Sequence, residues 1–311
     1  MTEPRIGTVW TAPELVPTQP SVVAIGVFDG VHVGHRATLS TARRLADERG
    51  CRAVALTFDP HPARVVAPST APLLLMTPQR RARTIIGEQG FDGVLLLPFD
   101  DDRARQAPEA FVRELLLGQL GAVEVVVGRG FRFGHRAGGT CDTLREVGEP
   151  AGMHVTAVDL VHDEAVLSST RIRQLVAEGV VELATGALGR PFILDGTVID
   201  GDRRGRTIGF PTANLAVDDT LVQPAIGVYA GRLLVGGEAL PAVINIGRRP
   251  TFGPGEVLVE VHCLDWSGDL YGREVAVTFE HSLRGEVKFD GVDALVAQIS
   301  ADVAQARALL V

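Results

Sequence analysis

Short apolar runs alternate with stretches of helical periodicity through the N-terminal half of the chain. Turn residues bound each run, and this pattern predicts five buried strands, at 21–27, 53–58, 93–97, 123–127 and 154–160. Helices are predicted between strands, at 35–49, 78–89 and 108–118. Strands that alternate with helices indicate an α/β domain with a parallel sheet. Ligands bind such sheets at the carboxyl ends of the strands, so functional residues are expected there.

The pattern changes near Pro191, where helical periodicity gives way to glycine and β-branched residues. Five consecutive strands are predicted, at 192–200, 227–235, 239–246, 257–264 and 274–281. This succession indicates a small antiparallel β-barrel. Apolar residues at three- and four-residue spacing then predict a terminal helix, from Val292 to Leu310. We therefore expect two domains, residues 1–186 and 187–311.

Charge and cysteine content narrow the possible partners. The 311 residues carry a formal charge of −8, which disfavours a general nucleic-acid binder. The three cysteines are widely spaced, which excludes a disulfide framework and a C-x-x-C metal site and fits a reducing compartment. No apolar run approaches the ~18 residues of a membrane span, and no signal-peptide pattern opens the chain. We expect a cytoplasmic protein, a monomer or a weak homo-oligomer, with no nucleic-acid or membrane partner.

The segment Gly26–His35 follows a predicted strand and leads into a predicted helix, and it reads Gly-Val-Phe-Asp-Gly-Val-His-Val-Gly-His. Its three glycines let the backbone approach a ligand closely, and the helix start offers N–H groups to a phosphate. His32 and His35 lie three residues apart, so both can stabilise the charge that develops on one phosphate chain in nucleotidyl transfer. Two other interpretations stay open: a pair of surface histidines, or a metal pair, for which no third ligand has a suitable spacing.

A complementary segment, Ser168–Arg173, reads Ser-Ser-Thr-Arg-Ile-Arg. Hydroxyl groups followed by arginines at a helix start can cap the helix and hold a triphosphate. By itself, the segment is better explained as a simple N-cap with two solvated arginines. Its occurrence in the same predicted domain as the two histidines favours the phosphate-binding interpretation.

In the second domain, the segment Gly201–Gly209 is rich in glycine and arginine and leads into Phe-Pro-Thr-Ala-Asn at 210–214. Such a segment suits the phosphate tail of a nucleotide, although the GxxxxGK[ST] pattern of a P-loop is absent. Thr212 and Asn214 lie two residues apart, so on a strand they face the same side. Their hydroxyl and amide oxygens are hard ligands that suit Mg²⁺ with bridging phosphates. A bare Pro-Thr-Ala-Asn motif would more simply be a turn between strands.

Glu260 is a carboxylate on an otherwise apolar predicted strand. As a general base it can take the proton of an alcohol that attacks the γ-phosphate of a nucleotide. The alternative is that Glu260 simply points outward on an alternating strand. Leu258 and His262 would share its face, and a face of this mixed character does not distinguish the two interpretations.

The N-terminal motifs resemble a known family. His-x-Gly-His with a downstream Ser-Ser-Thr-x-x-Arg is similar to the nucleotidylyltransferase superfamily. The whole segment Gly26–His35, together with Thr57–Pro62, resembles the FAD synthetase module of bacterial bifunctional riboflavin kinase/FAD synthetases. The resemblance implies a Rossmann-like domain in which His32 and His35 are catalytic. The ATP contacts that it implies are Gly26, Phe28, Asp29, Gly30, His32, Gly34, His35, Ser169, Thr170 and Arg173. The flavin contacts that it implies are Phe58, Asp59, His61, Pro62 and Phe131.

The second domain resembles the riboflavin kinase module of the same family along nearly its full length. The matching segments include 205–214, 227–229, 245–253, 260–262 and 269–272, in this order. The resemblance implies that Thr212 and Asn214 hold Mg²⁺–ATP and that Glu260 is the base for the ribityl 5′-hydroxyl. The ATP contacts that it implies are Gly201, Gly205, Arg206, Gly209, Pro211, Thr212 and Asn214. The flavin contacts that it implies are Arg284, Lys288 and Phe289.

Two residues depart from the family pattern. Gly130 stands where the family usually has Asp or Asn, and Val166 where many relatives have a basic residue. The expected function is a two-step enzyme that uses ATP and Mg²⁺ to convert riboflavin to FMN and FMN to FAD. One alternative is a riboflavin kinase with a degenerate adenylyltransferase domain. Another is a non-catalytic regulator that binds flavin or nucleotide.

Overall fold

The computed structural model describes residues 7–159, 168–201, 205, 208–248 and 257–310. The chain folds into two compact units. The first unit contains the chain as far as Pro72 and the stretch Thr77–Ser168. The second unit contains Leu73–Met76 and everything from Ser169 onward. Residues 169–186, which we assign to the first functional domain, therefore belong to the second compact unit.

A six-stranded parallel sheet forms the centre of the first unit. Its strands are β1 (Thr8–Trp10), β2 (Ser21–Ile25), β3 (Arg52–Asp59), β4 (Gly93–Pro98), β5 (Ala122–Gly128) and β6 (His154–Val158). They lie in the order β1-β4-β3-β2-β5-β6, and every neighbouring pair is parallel. The predicted parallel sheet is thus confirmed. β1 has only three residues, too few for a periodic signal in the sequence.

Helices connect these strands. They are α1 (Val33–Arg49), α2 (Pro62–Val66), α3 (Pro78–Gln89), α4 (Asp101–Arg105), α5 (Pro108–Ala110, continued by a π-helix at Phe111–Gln119) and α6 (Cys141–Gly148). α1 ends at Gly50, whose φ of 62° is the left-handed conformation that glycine adopts without strain. Alternate strand residues such as Val23, Ile25, Val54 and Leu56 are fully or almost fully buried and form one core cluster with the π-helical segment.

The strand order has a topological switch point at the carboxyl end of β2. The chain leaves β2 to form β3 on one side, and it later returns to form β5 on the other side. The crevice between two strands whose connections diverge in this way is where open α/β sheets bind ligands. The segment Gly26–His35 follows β2 directly, and Gly130 follows β5.

The second unit begins with two helices and continues as a barrel. Its elements are α7 (Ser169–Ala177), α8 (Val181–Leu188), β7 (Phe192–Ile199), β8 (Ala213–Ala216), β9 (Gly227–Val235), β10 (Glu238–Arg248), β11 (Val257–Cys263), β12 (Glu274–Phe279), β13 (His281–Arg284) and α9 (Val292–Leu310). Six strands, in the order β10-β11-β8-β7-β12-β9, close on themselves because β9 also pairs with β10. All these pairings are antiparallel, which confirms the predicted barrel.

The end of the chain packs on the barrel. α9 spans the predicted terminal helix, and its residues Ala306 and Leu310 are buried against Val228 and Val243. The predicted strand at 274–281 is two strands, β12 and β13, and both pair with β9.

Candidate active sites

The turn between β2 and α1 brings two histidines together. His32 is the N-cap residue of α1, and its carbonyl accepts a hydrogen bond from the backbone N–H of His35 at 2.9 Å. The two imidazole rings stack with their centroids 3.6 Å apart and an interplanar angle of 22°. His32 is 6% exposed. The two imidazoles thus lie at the N-terminus of a 17-residue helix, where the helix dipole also favours negative charge.

The backbone of this turn is unusual. Phe28 and Val31 adopt φ angles of 51° and 41°, in the left-handed region that residues with a Cβ rarely occupy. A Cβ on Gly26 would lie 2.7 Å from the ring of Phe28, so a larger residue there would displace this ring. The edge of the Phe28 ring meets the His35 imidazole at a centroid distance of 5.5 Å. Left-handed residues of this kind cluster at functional sites, each at a cost of about 1–3 kcal/mol.

The segment after β3 lies beside this turn. The hydroxyl of Thr57 donates a hydrogen bond to the carbonyl of Val27 at 2.8 Å, which joins the two strand ends. His61 is the N-cap residue of α2, and its Nδ1 accepts a hydrogen bond from the backbone N–H of Ala63 at 3.1 Å. A neutral His61 therefore carries its proton on Nε2. Phe58 packs edge-on against Phe99 at a centroid distance of 5.6 Å.

Arg81 is a buried cation that sequence reasoning missed. It is 1% exposed, and its Nη2 donates a hydrogen bond to the carbonyl of Phe58 at 2.7 Å. Burial lowers the pKa of the guanidinium, and the carboxylates of Asp29 and Asp59 act in the opposite direction. Arg81 therefore links α3 to both loops that carry the predicted ATP and flavin contacts. The only signal in the sequence is a charged residue on the buried face of α3, next to Ala82.

The turn after β5 carries Phe131 and the unusual Gly130. The N–H of Phe131 donates to the carbonyl of Gly128 at 2.9 Å, and its ring stacks on Phe133 at a centroid distance of 5.5 Å. Gly130 is exposed, and a Cβ on it would meet no heavy atom within 4 Å. Packing therefore does not require glycine at this position. Val166, the second departure, lies outside the described residues.

The remaining predicted ATP contacts of the first site lie in the second unit. Ser169 and Thr170 begin α7, and Arg173 follows one turn later. Ile172 and Leu175 are the buried residues that anchor this helix.

The barrel aligns three polar side chains across neighbouring strands. Glu260 on β11 lies directly opposite Asn214 on β8 and Asn245 on β10. Residues opposite each other on paired strands project to the same face of the sheet. Val259 and Val261, 0% and 1% exposed, occupy the barrel core, so Glu260 projects from the outer face. This face is not a plain solvated one, because Asn214 is only 7% exposed and the Nδ2 of Asn245 donates to Oε2 of Glu260 at 3.2 Å.

Two described glycines of the glycine-rich segment lie close to Asn214 or to the residues just before it. A Cβ on Gly201 would lie 2.0 Å from Nδ2 of Asn214, so only glycine allows this approach. A Cβ on Gly205 would lie 2.3 Å from the carbonyl oxygen of Phe210 and 3.5 Å from the hydroxyl of Thr212. Gly209 adopts a φ of 89°, which glycine accepts without strain. Arg206 lies outside the described residues.

His262 fixes the backbone just before Thr212. Its Nδ1 lies 2.8 Å from the carbonyl oxygen of Pro211, and because a carbonyl only accepts, the Nδ1–H donates. The structure thus brings together Gly201, Gly205, Pro211, Thr212, Asn214 and Glu260.

The predicted flavin contacts lie between β13 and α9. The guanidinium of Arg284 forms hydrogen bonds of 2.8–3.0 Å to both oxygens of Asp302, which is 3% exposed. Its Cζ also lies 5.8 Å from the centroid of the Phe289 ring. Lys288 is exposed, and Val292 beside this segment is 60% exposed although apolar. Arg284 therefore links β13 to α9 next to an uncovered apolar surface.

Comparisons with protein families match both halves of the chain. The riboflavin kinase family matches residues 188–310, and the FAD synthetase family matches residues 16–171. Within the described residues, no helix has the length and apolar character needed to span a bilayer.

Curated relatives match over nearly the whole chain. A protein of Pseudomonas fluorescens is 41% identical over 290 residues, which are 93% of this chain and 92% of the relative. A protein of Escherichia coli (strain K12) is 38% identical over 293 residues, 94% of this chain and 93% of the relative. A protein of Bacillus subtilis (strain 168) is 35% identical over 289 residues, 92% of this chain and 91% of the relative. Each of the three is described as "Bifunctional riboflavin kinase/FMN adenylyltransferase".

A solved structure shares the fold of the whole chain. It is described as "Crystal Structure of Macrolide-efflux Protein from Streptococcus pneumoniae". Its TM-score is 0.85 at 32% sequence identity, and the match covers 97% of this chain and 99% of that one.

Proposed function

The chain belongs to the family of bifunctional riboflavin kinase/FMN adenylyltransferases, and from this membership we propose how its own residues divide the two reactions. The C-terminal half is a riboflavin kinase, and the N-terminal half is an FAD synthetase. The expected two-step enzyme is confirmed at this level. Its substrates are those that the family implies: riboflavin, FMN and ATP.

In the kinase reaction, we propose that Glu260 is the general base. The ribityl 5′-hydroxyl attacks the γ-phosphorus of ATP, its proton passes to the Glu260 carboxylate, and the bond to the departing ADP breaks. The single observation that carries this proposal is the register that sets Glu260 between Asn214 and Asn245. A half-buried carboxylate between two amides is held in place, as a base that must meet one hydroxyl requires.

The nucleotide of the kinase site is assigned to the segment next to Glu260. Thr212 and Asn214 would hold a Mg²⁺ ion that neutralises charge on the phosphates when it is bound. Their hydroxyl and amide oxygens fit this ion, and oxygens of the phosphates would complete its coordination. Gly201, Gly205, Arg206, Gly209 and Pro211 would enclose the phosphates. Arg284, Lys288 and Phe289 would border the flavin beside the apolar surface at α9.

In the adenylyl transfer, a phosphate oxygen of FMN attacks the α-phosphorus of a second ATP and pyrophosphate leaves. The attacking phosphate is already ionised, so this step needs no general base. We propose that His32 and His35 stabilise the developing charge, which their stacking at the N-terminus of α1 supports. Phe58, Asp59, His61, Pro62 and Phe131 are assigned to the flavin. Ser169, Thr170 and Arg173 are assigned to the triphosphate from their sequence motif alone.

The boundary between the two functional domains, the cellular compartment and the oligomeric state are also proposals. Residues 1–186 would form the adenylyltransferase domain and residues 187–311 the kinase domain, in line with the family matches at 16–171 and 188–310. The three cysteines are free thiols, which supports a cytoplasmic protein. A monomer or a weak homo-oligomer is sufficient because each proposed reaction uses residues of one chain.

The test is a separation of flavins by chromatography after incubation with ATP and Mg²⁺, starting in parallel from riboflavin and from FMN. Glu260→Ala should form no FMN or FAD from riboflavin, yet it should form FAD from FMN at the wild-type rate. His35→Ala should do the reverse, so that FMN accumulates from riboflavin and neither start gives FAD. Loss of both activities in the Glu260 variant, or continued FMN formation, would contradict the assignment.

A further inference from the structure

Asn245 has no role of its own among the proposed catalytic and binding residues. It lies on β10 directly opposite Glu260, and its Nδ2 donates a hydrogen bond to Oε2 of that carboxylate at 3.2 Å. We infer that Asn245 is a positioning residue of the kinase reaction, which holds the Glu260 carboxylate in the orientation that receives the proton of the attacking hydroxyl. The inference rests on the proposed role of Glu260 as the base.

The backbone that carries Asn245 is rigid. β10 pairs with β11 on one side and with β9 on the other, so Asn245 lies opposite Glu260 and also opposite Val228. Its neighbours Ile244 and Ile246 are 0% and 1% exposed and anchor the strand in the barrel core. A side chain on a doubly paired strand is a more precise support than one on a loop.

The hydrogen bond gives the two oxygens of the Glu260 carboxylate different roles. A glutamate side chain has three rotatable bonds, and an amide that holds Oε2 restricts them while Oε1 stays available for another partner. The amide nitrogen donates and Oε2 accepts, so the bond holds one carboxylate oxygen at a fixed place beside β10.

The two amides beside Glu260 then have different partners. Asn214 is packed against Gly201 of the glycine-rich segment, on the side proposed for the nucleotide. On the other side, Gly247 follows Asn245 on the same face of β10 and contributes no side chain. A Cβ on Gly247 would lie 3.6 Å from Nδ2 of Asn245, which is the only such neighbour within 4 Å among the described residues. Asn214 thus contacts Gly201, and Asn245 donates its hydrogen bond to the proposed base, Glu260.

The test compares kinetics rather than folding alone. Asn245→Leu removes the donor at similar volume, and Asn245→Gln keeps an amide on a longer side chain. Misplacing a reacting group by about 1 Å can cost ~100-fold in rate, so kcat for FMN formation should fall about 100-fold in Asn245→Leu. The KM values for ATP and riboflavin should stay within about 2-fold, because a residue that acts only through Glu260 contributes no binding contact to either substrate. Asn245→Gln should recover about 10-fold of the loss, since a donor is again within reach.

Controls separate the inference from a general disturbance. Ala239→Leu places the same side chain at an exposed position of the same strand and should leave kcat unchanged. FAD formation from FMN should be normal in all these variants. In a Glu260→Gln background, Asn245→Leu should add little further loss, because two residues that act as a unit are not additive. Additive losses would mean that Asn245 acts independently, and the inference would be wrong.

The outcomes also distinguish this inference from the proposed function. If Glu260→Ala still forms FMN, the base assignment fails. If Glu260→Ala is inactive while Asn245→Leu keeps its kcat, the base assignment stands and the positioning role is wrong. A raised KM for ATP at unchanged kcat would instead make Asn245 a nucleotide contact. Should Asn245→Leu fail to fold, Asn245→Ser is judged by the same kcat and KM criteria, because its smaller side chain leaves the packing intact.

Discussion

Replacing Arg81 with methionine should destabilise the first unit strongly. The substitution removes a buried cation on which the carboxylates of Asp29 and Asp59 act, and it leaves the carbonyl of Phe58 without its 2.7 Å donor. Leaving a buried carbonyl without the charged donor that it had typically costs about 1–3 kcal/mol. With a urea dependence of about 2 kcal/mol per molar, this cost lowers the unfolding midpoint by about 0.5–1.5 M.

Each unit has its own tryptophan, so the unfolding of the first unit can be followed separately. Trp10 lies in β1 of the first unit and Trp266 in the second. In a Trp266→Phe background, urea unfolding followed by Trp10 fluorescence reports the first unit. Arg83→Met removes an exposed arginine from the same helix and should change the free energy of unfolding by less than about 0.5 kcal/mol.

A lysine at position 81 separates the effect of the charge from that of the hydrogen bond. Arg81→Lys keeps the charge but lacks the planar donor group that reaches Phe58, so its midpoint should lie between wild type and Arg81→Met. FAD formation should fall in the order of the stability loss, because Arg81 supports both loops of the adenylyl-transfer site. If Arg81→Met shifts the midpoint no more than Arg83→Met does, the buried charge does not hold these loops and the reasoning is refuted.

Three further substitutions test other parts of the structure. Gly201→Ala should displace the Asn214 amide, which lies 2.0 Å from the new Cβ, and it should therefore raise the KM for ATP in FMN formation. Gly186→Ala is the control and should leave this KM unchanged, because a Cβ there meets nothing within 4 Å. Gly130→Asn should fold normally because that Cβ has open space, and FAD formation from FMN should rise if the amide restores a family contact; an unchanged rate would mean that the contact is dispensable. Burial raises the pKa of Tyr229 from 10.0 to about 12. Between these values the unfolded chain has lost the proton that the folded chain keeps, so stability present below pH ~10 should fall by roughly 3 kcal/mol as pH rises to ~12. Tyr229→Phe should lack this alkaline loss in pH-dependent urea unfolding.

Local patterns predicted most of the elements. The strands at 93–97 and 227–235 and the helix at 78–89 agree with the structure to within a residue, because each has enough residues to display its period. The split of 274–281 into β12 and β13 was not predictable, because it depends on the long strand β9 that both of them join. α7 and α8 are short and were not predicted as a helix pair.

The same distinction applies to the candidate sites. His32 and His35 lie on one turn, so their proximity follows from contiguous sequence. Arg81 meets Phe58 across 23 residues, and Asn245 meets Glu260 across 15 residues, and both contacts depend on how elements pair. No local pattern identifies such partners.

The register of three strands gives information on Glu260 that the alternation of one strand lacks. Along β11, the residues that share the face of Glu260 are a leucine and a histidine. They do not show whether this face is buried in the core, exposed to solvent or part of a site. On the neighbouring strands, the residues opposite Glu260 are two asparagines. These cross-strand neighbours distinguish a carboxylate held by amides from one that is only solvated. Because Val259 and Val261 project into the core from the same strand, Glu260 lies on the opposite face of that strand. Substitutions at Asn245 or Glu260 should therefore change kinetics without opening the core, which is why their effects can be interpreted as chemistry.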